Sequence, residues 1–400
     1  MKIKLGVLFG GMSVEHEVSI ITAIQAMNKL DQAKYDIVPI YIAKDGKWYT
    51  GNMLKDIEIY SDMDLLKRYA KEVVLYNLNG RFVLQNKKGI FKKIVDEINI
   101  ALPIMHGTKG EDGALQGYFE TIKIPYCESN TYASCVGQDK IFMKQIFESN
   151  KVRVVKYKWF FDTDYLNDSE AVIKELEKLG YPMIVKPATL GSSVGISVCH
   201  DELELQESIM EAIKYDTKVL VEEFVKNLKE VNISVLGNYE HQELSEIEEV
   251  GSGHELLTYE DKYIGGSKKM PSKGMASAKR IIPANISKEL SDEVRKQALL
   301  AYRALNSSGV VRIDFLIDTK ENKVYANEIN SIPGSLSFYL WEHSNKDYTT
   351  LLDNIINLGI LEHKRYEKKT STFDTNILQG FTGLKGVKGI KKWEKFYLLF

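Results

Sequence analysis

The chain has 400 residues, which is too long for a single hydrophobic core and predicts more than one domain. Its composition, 44% hydrophobic and 27% charged residues, is typical of a globular protein. Its 53 basic residues nearly balance its 55 acidic ones, so the net charge of −2 argues against a nucleic-acid binder but not against a small anionic ligand. Three cysteines in no metal-ligand spacing favour a reducing compartment. No segment reaches the ~18 apolar residues that span a bilayer, so we expect a cytoplasmic protein without a membrane partner.

The first 130 residues have the pattern of an α/β domain. Three mainly apolar runs predict buried strands. These runs are residues 3–9, 35–42 and 98–105. Apolar residues at helical spacing from Ile20 to Met27 separate the first two runs, which gives the β-α-β order of such a fold. The stretch 51–93 is charged and weakly patterned, and we interpret it as an elaboration on this domain.

From about residue 131 the pattern changes to shorter, mixed elements that predict α+β units. The predicted elements are the helix Asp168–Leu179, the strands Met183–Lys186 and Lys218–Phe224, the helix Ser287–Leu305, and a hairpin of Val310–Asp318 with Lys323–Ile329. Gly180 ends the first helix, and Ser287 is the expected N-cap of the second. The predicted domains are 1–130, 131–225 and 226–363, followed by a tail, 364–400, to which the sequence assigns no role.

The hairpin carries the most informative polar residues. Because side chains alternate along a strand, Arg312 and Asp314 share one face, and the turn brings Asp314 nearly opposite Glu328. Asn330 shares the face of Glu328. Two carboxylates and an amide oxygen close together favour a hard cation such as Mg²⁺, and Arg312 could bind a phosphoryl group or an oxyanion. An exposed, charged strand face explains the same pattern equally well from this hairpin alone.

Other polar residues follow predicted strands, and ordinary structural explanations apply to them too. Lys186 ends an apolar strand, so it must either reach solvent or meet an anion. The loop Gly191–Gly195 could cover a phosphate with its N–H groups, although most such runs are plain turns. His106 is more often structural than catalytic, and Glu15 alone is a surface residue. Neither P-loop spacing nor the GxGxxG fingerprint occurs, which argues against a nicotinamide-dependent enzyme.

Five motifs together resemble the D-alanine–D-alanine ligases of the ATP-grasp superfamily. In chain order they are Gly10–Ser19, His106–Gly117, Lys186–Gly195, Tyr259–Tyr263 and Arg312–Gly334. The resemblance covers about residues 3–355 and implies an ATP-grasp fold preceded by a Rossmann-like α/β domain. It implies ATP-dependent joining of two D-alanine molecules for peptidoglycan synthesis. The implied route runs through an acyl-phosphate and a tetrahedral intermediate, with release of ADP and phosphate.

The resemblance implies how ATP would be held. The implied contacts are Lys140, Lys186, Ser193 and Lys262 for the phosphates, Glu222 and the Val225 backbone for the adenine, and Glu230 for the ribose. Asp314, Glu328 and Asn330 would hold two Mg²⁺ ions, with Mn²⁺ as an alternative metal. The family also implies a homodimer.

The resemblance further implies how the amino acids would react. Glu15 would bind the ammonium group of the first amino acid, in a hydrogen-bonded network with Ser192 and Tyr263. Arg312 and the backbone of Gly334 would face the tetrahedral intermediate. The loop that contains Ser192 would close over the γ-phosphate, because water would otherwise hydrolyse the acyl-phosphate.

The chain departs from the family pattern after Gly334. Tyr339 stands where a serine is usual, near the expected position of the second amino acid's carboxylate. A related ATP-grasp ligase with a different second substrate is therefore the alternative to D-alanine–D-alanine ligation. A non-catalytic ATP-binding protein would have lost a metal ligand or a phosphate contact, whereas these residues are all present. The loop 264–279 is long and rich in Gly, Ser and Lys, so its closure could also differ.

Overall fold

The computed structural model describes residues 2–88, 92–191, 194–250 and 280–373. The chain divides into two compact units, Met1–His363 and Lys364–Phe400, and the described residues contain three β-sheets. Four predicted site residues, Ser192, Ser193, Lys262 and Tyr263, and the loop 264–279 lie outside the described residues. No helix in the described part is long and apolar enough to cross a membrane.

The first sheet has seven strands and is partly parallel. Its strands are β1 (Ile3–Gly10), β2 (Tyr35–Ile42), β3 (Trp48–Thr50), β4 (Lys71–Leu78), β5 (Arg81–Asn86), β6 (Ile94–Ile98) and β7 (Ile100–Ile104). Their spatial order is β6-β5-β4-β3-β2-β1-β7. β1 pairs in parallel with β2 and β7, which accounts for the mainly apolar sequences of these strands. β3 to β6 extend the sheet by antiparallel pairing.

Three helices accompany this sheet. They are α1 (His16–Lys29), α2 (Met63–Tyr69) and α3 (Ala114–Ile122), with 3₁₀ turns at Asn52–Lys55 and Ile57–Ser61. α1 buries Ile20, Ala23 and Met27, as the helical spacing predicts. These side chains share one core with residues of β1. Full burial of a side chain as large as Ile20 or Met27 contributes about 1.5–3 kcal/mol.

Two sequence interpretations in this region change. The stretch 51–93 builds β4 and β5, so it widens the sheet itself. The buried strand predicted over residues 98–105 is confirmed as β7, but its predicted start is wrong, because β7 begins at Ile100 and Ile98 ends β6. Asn99 between them binds Lys4, accepting its N–H on Oδ1 at 2.8 Å and donating its own N–H to the Lys4 carbonyl at 2.7 Å. Since Ile98 and Ile100 are both buried, the apolar run conceals the break.

The second sheet has four antiparallel strands. They are β8 (Tyr157–Phe161), β9 (Met183–Pro187), β10 (Ser197–Cys199) and β11 (Lys218–Glu223), in the spatial order β10-β9-β11-β8. The neighbouring helices are α4 (Thr131–Gln138), α5 (Lys140–Ser149), α6 (Asp162–Asn167), α7 (Ser169–Leu176) and α8 (Glu202–Ala212). Asp168 caps α7 by accepting the Ala171 N–H. A 3₁₀ turn, Glu177–Leu179, continues to Gly180, whose φ of +80° fits the predicted glycine stop.

The third sheet has five antiparallel strands. They are β12 (Leu228–Gly237), β13 (Gln242–Val250), β14 (Arg280–Ile281), β15 (Gly309–Asp318) and β16 (Lys323–Asn330), in the spatial order β14-β13-β12-β15-β16. The helices that follow are α9 (Lys288–Ala304), α10 (Phe338–Glu342) and α11 (Tyr348–Glu367), with a 3₁₀ turn at Gly334–Ser337. α9 begins after its predicted N-cap Ser287 and packs Val294 and Tyr302 into the core beneath the sheet. The domain limits drawn from the sequence stay a prediction.

A close approach at the start of β15 joins the N-terminal region to the third sheet. Glu128 Oε2 accepts the N–H of Val310 at 2.8 Å. Gly309 has a φ of +74°, and a Cβ added to it would overlap the Glu128 carboxylate and lie 2.7 Å from the Glu128 Cα. Glycine is therefore required at position 309, both for its backbone conformation and for the space.

We expect Gly309→Ala to lower the free energy of unfolding by about 1–2 kcal/mol for the left-handed backbone, and by about 1–3 kcal/mol more for the overlap. Gly80→Ala is the matched control, because Gly80 has a φ of +85° but nothing within 4 Å of an added Cβ. Urea unfolding followed by circular dichroism measures both losses. Equal losses in the two variants would contradict the close approach.

Candidate active site

A cavity lies between the second and third sheets. Six residues that the sequence predicts for ATP or metal line it, namely Lys140, Lys186, Val225, Glu230, Asp314 and Glu328. They come from α5, β9, β12, β15, β16 and the loop after β11. Ile184, Phe224 and Leu316 add apolar walls that the sequence did not single out. A slot with apolar walls and charged edges suits a flat aromatic group that carries an anionic tail.

The register of β15 and β16 confirms the predicted hairpin. Asp314 pairs with Glu328, and Arg312 with Asn330, along the antiparallel ladder. The Arg312 guanidinium donates to both carboxylate oxygens of Asp314 at 2.7 Å, and Asn330 Nδ2 donates to Asp314 Oδ2 at 3.4 Å. Lys140 Nζ lies 3.6 Å from Glu328 Oε2. Two carboxylates, an amide and two cations are thus gathered in one cluster, of which Asp314, Glu328 and Lys140 line the cavity.

These side chains fit a hard divalent cation. The side chains of Asp314 and Glu328 are 22% and 27% exposed, and both face the cavity. Oxygen ligands of this kind, completed by water or phosphate, are those that Mg²⁺ takes. Among the described residues, no group of three or more His, Cys, Asp or Glu is placed to hold a metal ion. A metal ion held here would have the two carboxylates and the Asn330 amide as its protein ligands, and that ligand set stays a prediction.

Glu222, expected at the adenine, lies between two lysines. Its Oε1 is 2.6 Å from Lys144 Nζ, and its Oε2 is 2.5 Å from Lys186 Nζ. The side chains of Glu222 and Lys144 are 1% and 0% exposed. Sequence reasoning missed Lys144, and the available signal was its place four residues after Lys140, which puts both on one face of α5. The adenine contact of Glu222 stays a prediction.

The two lysines determine the charge of Glu222. Burial raises the pKa of Glu222, but the ammonium groups of Lys144 and Lys186 lower it by a larger amount. The resulting pKa is about 2. Burial lowers the pKa of Lys144, and the Glu222 carboxylate opposes that change. Because the pKa of folded Glu222 lies below its ordinary value of 4.5, the charge stabilises the fold fully above pH 4.5. This stabilisation is lost as the pH falls towards 2.

Glu15 lies where three loops approach one another. A Cβ added to Gly107, in the loop after β7, would lie 2.7 Å from Glu15 Oε2. A Cβ added to Gly191, in the loop after β9, would lie 3.6 Å from the same oxygen. Ser13 Oγ accepts the Glu15 N–H at 3.0 Å. The Glu15 carboxylate therefore lies beside Gly191, the residue before Ser192. The family resemblance predicts a hydrogen-bonded network between Glu15 and Ser192, and that network stays a prediction.

His106 makes the structural contacts expected of a lone histidine. It is buried, with Nδ1 2.7 Å from the Ile332 carbonyl oxygen and Nε2 3.1 Å from Thr22 Oγ1. Burial lowers its pKa, so the ring is neutral at pH 7. Burial raises the pKa of Glu111, whereas the N–H groups of Gly107 and Ile332, which donate one to each of its oxygens, favour the charged carboxylate.

Tyr339 makes contacts that a serine could not make. Its hydroxyl donates to Glu248 Oε2 at 3.3 Å, and the Arg280 guanidinium lies 4.0 Å from the centre of its ring. Arg280 Nε is 3.3 Å from Glu248 Oε1, so the three side chains form one cluster. Burial raises the pKa of Tyr339 to about 12, so its hydroxyl stays protonated at neutral pH.

Comparisons with known proteins cover most of the chain. The family model described as D-ala D-ala ligase N-terminus matches residues 4–129, and that described as D-ala D-ala ligase C-terminus matches residues 146–357. A relative from Thermosipho melanesiensis, named D-alanine–D-alanine ligase, is 39% identical over 378 residues, 94% of this chain and 98% of the relative. The solved D-alanine–D-alanine ligase from Coxiella burnetii has a TM-score of 0.77 at 28% identity, covering 92% of this chain and 96% of that one. The VanG D-Ala:D-Ser ligase from Enterococcus faecalis has a TM-score of 0.73 at 28% identity, covering 90% and 100%.

Replacing Lys144 by methionine keeps much of the side chain's shape but removes one of the two cations beside Glu222. We expect the free energy of unfolding to fall by up to about 3–5 kcal/mol, since a buried charge loses a partner. Lys156→Met is the matched control, because Lys156 pairs with Glu223 at 3.4 Å on the surface, where such a pair contributes about 0–1 kcal/mol. Chemical unfolding of the three proteins provides the comparison. A Lys144→Met variant as stable as Lys156→Met would show that the buried cation is dispensable.

Proposed function

This chain belongs to the D-alanine–D-alanine ligase family and has its ATP-grasp fold, and on that premise we propose that it joins two D-alanine molecules for peptidoglycan synthesis, converting ATP to ADP and phosphate. The observation that carries the proposal is the cavity wall of Asp314, Glu328 and Lys140, together with the Arg312 and Asn330 side chains that bind Asp314. Such a wall suits phosphoryl transfer beside a developing oxyanion. A cytoplasmic homodimer remains the prediction for location and assembly.

ATP would occupy the cavity between the second and third sheets. Lys140 and Lys186 would bind its phosphates, while the Val225 backbone and Glu230 would hold the adenine and the ribose. All four residues line the cavity, which supports this assignment. Lys186 is already held by Glu222 at 2.5 Å, so a phosphate would meet an ammonium group whose position is fixed in advance.

Asp314, Glu328 and Asn330 would hold the metal, for which two Mg²⁺ ions, or Mn²⁺ as an alternative, are the prediction. Bound Mg²⁺ supplies charge neutralisation to the phosphates during transfer. Arg312 donates to both oxygens of Asp314, so it orients that carboxylate, and it would bind the transferred phosphoryl group. The metal ligands and the phosphoryl-binding side chain would thus share one hairpin, β15 and β16.

The proposed reaction has two steps. A carboxylate oxygen of the first D-alanine attacks the γ-phosphorus, ADP leaves, and an acyl-phosphate forms. The ammonium of the second D-alanine then loses a proton, its neutral amine attacks the acyl carbon, and the tetrahedral intermediate expels phosphate. Glu15 would hold the first ammonium, and Arg312 with the Gly334 N–H would stabilise the oxyanion. Ser192, Ser193, Lys262 and Tyr263 keep the roles that the resemblance implies.

A different second substrate is the other candidate, and the position of Tyr339 favours it. The carboxylate of the second amino acid needs hydrogen-bond donors, because an unpaired buried charge is costly. The Tyr339 hydroxyl already donates to Glu248, so it is not directed as a free donor at the acceptor. The loss of one hydrogen bond to a charged group changes binding by about 1.5–3 kcal/mol, which is enough to alter the order in which acceptors are preferred.

The wild-type protein should release ADP and phosphate from ATP only when D-alanine and Mg²⁺ are present, with an equal amount of D-alanyl-D-alanine. Phosphate release measured with D-alanine and each other D-amino acid in turn identifies the second substrate in the same experiment. A mixed dipeptide made faster than D-alanyl-D-alanine would favour the alternative acceptor. AMP and pyrophosphate as products would reject the acyl-phosphate route.

Glu328→Gln keeps the shape of a proposed metal ligand and removes its charge. We expect turnover to fall about a hundredfold or more, since even residues that only support a metal ligand contribute about 10–100-fold. Glu321→Gln is the matched control, because Glu321 sits on the turn of the same hairpin, half exposed and paired with Lys323. Turnover is measured over a range of Mg²⁺ concentrations together with the melting temperature. Wild-type activity of Glu328→Gln at limiting Mg²⁺ would remove Glu328 from the metal site.

A further inference from the structure

The segment that follows β16 has a strained backbone beside the proposed oxyanion site. Three consecutive residues other than glycine, Ser335, Leu336 and Ser337, have φ values of +52°, +49° and +51°. The left-handed region costs an L-residue about 1–2 kcal/mol, so contacts from elsewhere must hold this conformation. Gly334, whose N–H is proposed to stabilise the tetrahedral intermediate, directly precedes the strained residues.

The N-terminal region holds the entry to this segment. Buried Glu111 accepts the Ile332 N–H on Oε1 at 2.9 Å and the Gly107 N–H on Oε2 at 2.8 Å. His106 Nδ1 lies 2.7 Å from the Ile332 carbonyl oxygen, so this nitrogen carries the proton and donates. Ile332 is thereby fixed through both its N–H and its carbonyl, two residues before Gly334.

Helix α1 holds the exit from the segment. Thr22 Oγ1 accepts the Ser335 N–H at 3.1 Å, and Ser335 Oγ donates to Gln25 Oε1 at 2.8 Å. Because His106 carries its proton on Nδ1, its Nε2 is an acceptor, and Thr22 donates its hydroxyl proton to it at 3.1 Å. The Thr22 hydroxyl therefore acts as donor and acceptor at once, and it links the contacts at the exit to those at the entry.

We propose that Thr22, His106 and Glu111 form a clamp on residues 332–335 that positions the Gly334 N–H for the oxyanion of the second step. The inference rests on the proposed function, because it presupposes an acyl transfer through a tetrahedral intermediate. These three are positioning residues, which act through the backbone without touching the reacting atoms. A displacement of about 1 Å in such a group can slow a reaction about a hundredfold.

Two substitutions break the clamp at different points. Thr22→Val keeps the shape of the side chain and removes the hydroxyl, whereas Thr22→Ser keeps the hydroxyl. Glu111→Gln replaces one accepting oxygen by an amide that presents a donor to one of the two N–H groups. In Thr22→Val and Glu111→Gln we expect kcat for dipeptide formation to fall about tenfold to a hundredfold, with KM for ATP changed less than about threefold. Thr22→Ser should stay within about threefold of the wild type in both constants.

Positional isotope exchange distinguishes positioning from a general loss of structure. ATP labelled with ¹⁸O in the β–γ bridge scrambles its label each time the acyl-phosphate returns to ATP. The ratio of exchange to dipeptide formation therefore rises when the second step alone is slowed. We expect that ratio to rise about tenfold or more in Thr22→Val and in Glu111→Gln. Tyr302→Phe is a destabilised control, because Tyr302 donates to the carbonyls of Gly237 and Gly309, and its ratio should equal that of the wild type.

An unchanged ratio in both Thr22→Val and Glu111→Gln would overturn the clamp. It would also be overturned if Thr22→Ser lost as much activity as Thr22→Val, since the hydroxyl would then be irrelevant. The melting temperature of each variant is measured alongside. A wild-type protein that makes no D-alanine-dependent dipeptide is a different result, which rejects the proposed function and not the clamp alone.

Discussion

Charge neutralisation in and behind a partly buried cavity is the constraint on which the rest of the site depends. Asp314 is gripped by Arg312 at 2.7 Å, Glu328 lies 3.6 Å from Lys140, and Glu222 lies between two lysines. Removing either partner of a buried pair leaves an uncompensated charge that costs several kcal/mol. The positions of the cations and anions therefore fix one another, and the strands that carry them cannot shift in register without separating the pairs.

The same balance bears on how ATP and metal would arrive. A polyphosphate adds several negative charges beside carboxylates that Arg312 and Lys140 already neutralise. If Arg312 and Lys140 turned towards the phosphates, the negative charges of Asp314 and Glu328 would lose part of their neutralisation. A divalent cation between the carboxylates and the phosphates removes this conflict, since both sets of oxygens can share it. Binding the nucleotide together with its metal is thus the arrangement that keeps the wall close to neutral.

The parts of this site that could be predicted from sequence are those governed by a short, regular period. A strand alternates its side chains every two residues, so the hairpin and the approach of Asp314 to Glu328 could be predicted once the turn was located, although a shift in register between Asp314 and Phe315 sets the final pairing. Lys144 shows the limit of that approach. Lysines on helices usually face water, and only the packing of α5 against the second sheet buries this one against Glu222. The break at Asn99 was hidden for a related reason, because two buried strands in succession give one apolar run.

Isolated residues in loops gave no periodic signal at all. Glu15 entered the site only through the resemblance of its motif, since nothing local distinguishes one glutamate from a surface residue. The structure places it beside Gly107 and Gly191, but its binding role stays a prediction. Thr22 and Glu111 were not singled out, because the N–H groups of Ser335 and Ile332 that they accept lie more than 200 residues away along the chain. Such long-range hydrogen bonds appear only once the chain is folded.

The left-handed segment explains why assembly of the site depends on those long-range contacts. Three strained residues cost about 3–6 kcal/mol in total at about 1–2 kcal/mol each. Four hydrogen bonds to Ile332 and Ser335 return about 0.5–1.5 kcal/mol each, and burial of Leu336 in the core it shares with α1 contributes about 1.5–3 kcal/mol. The strain of the three residues and the stabilisation by these contacts are similar in size. The conformation is therefore favourable only while α1 and the loop after β7 are docked against it. Docking of the N-terminal region and formation of the Gly334 turn are therefore one event.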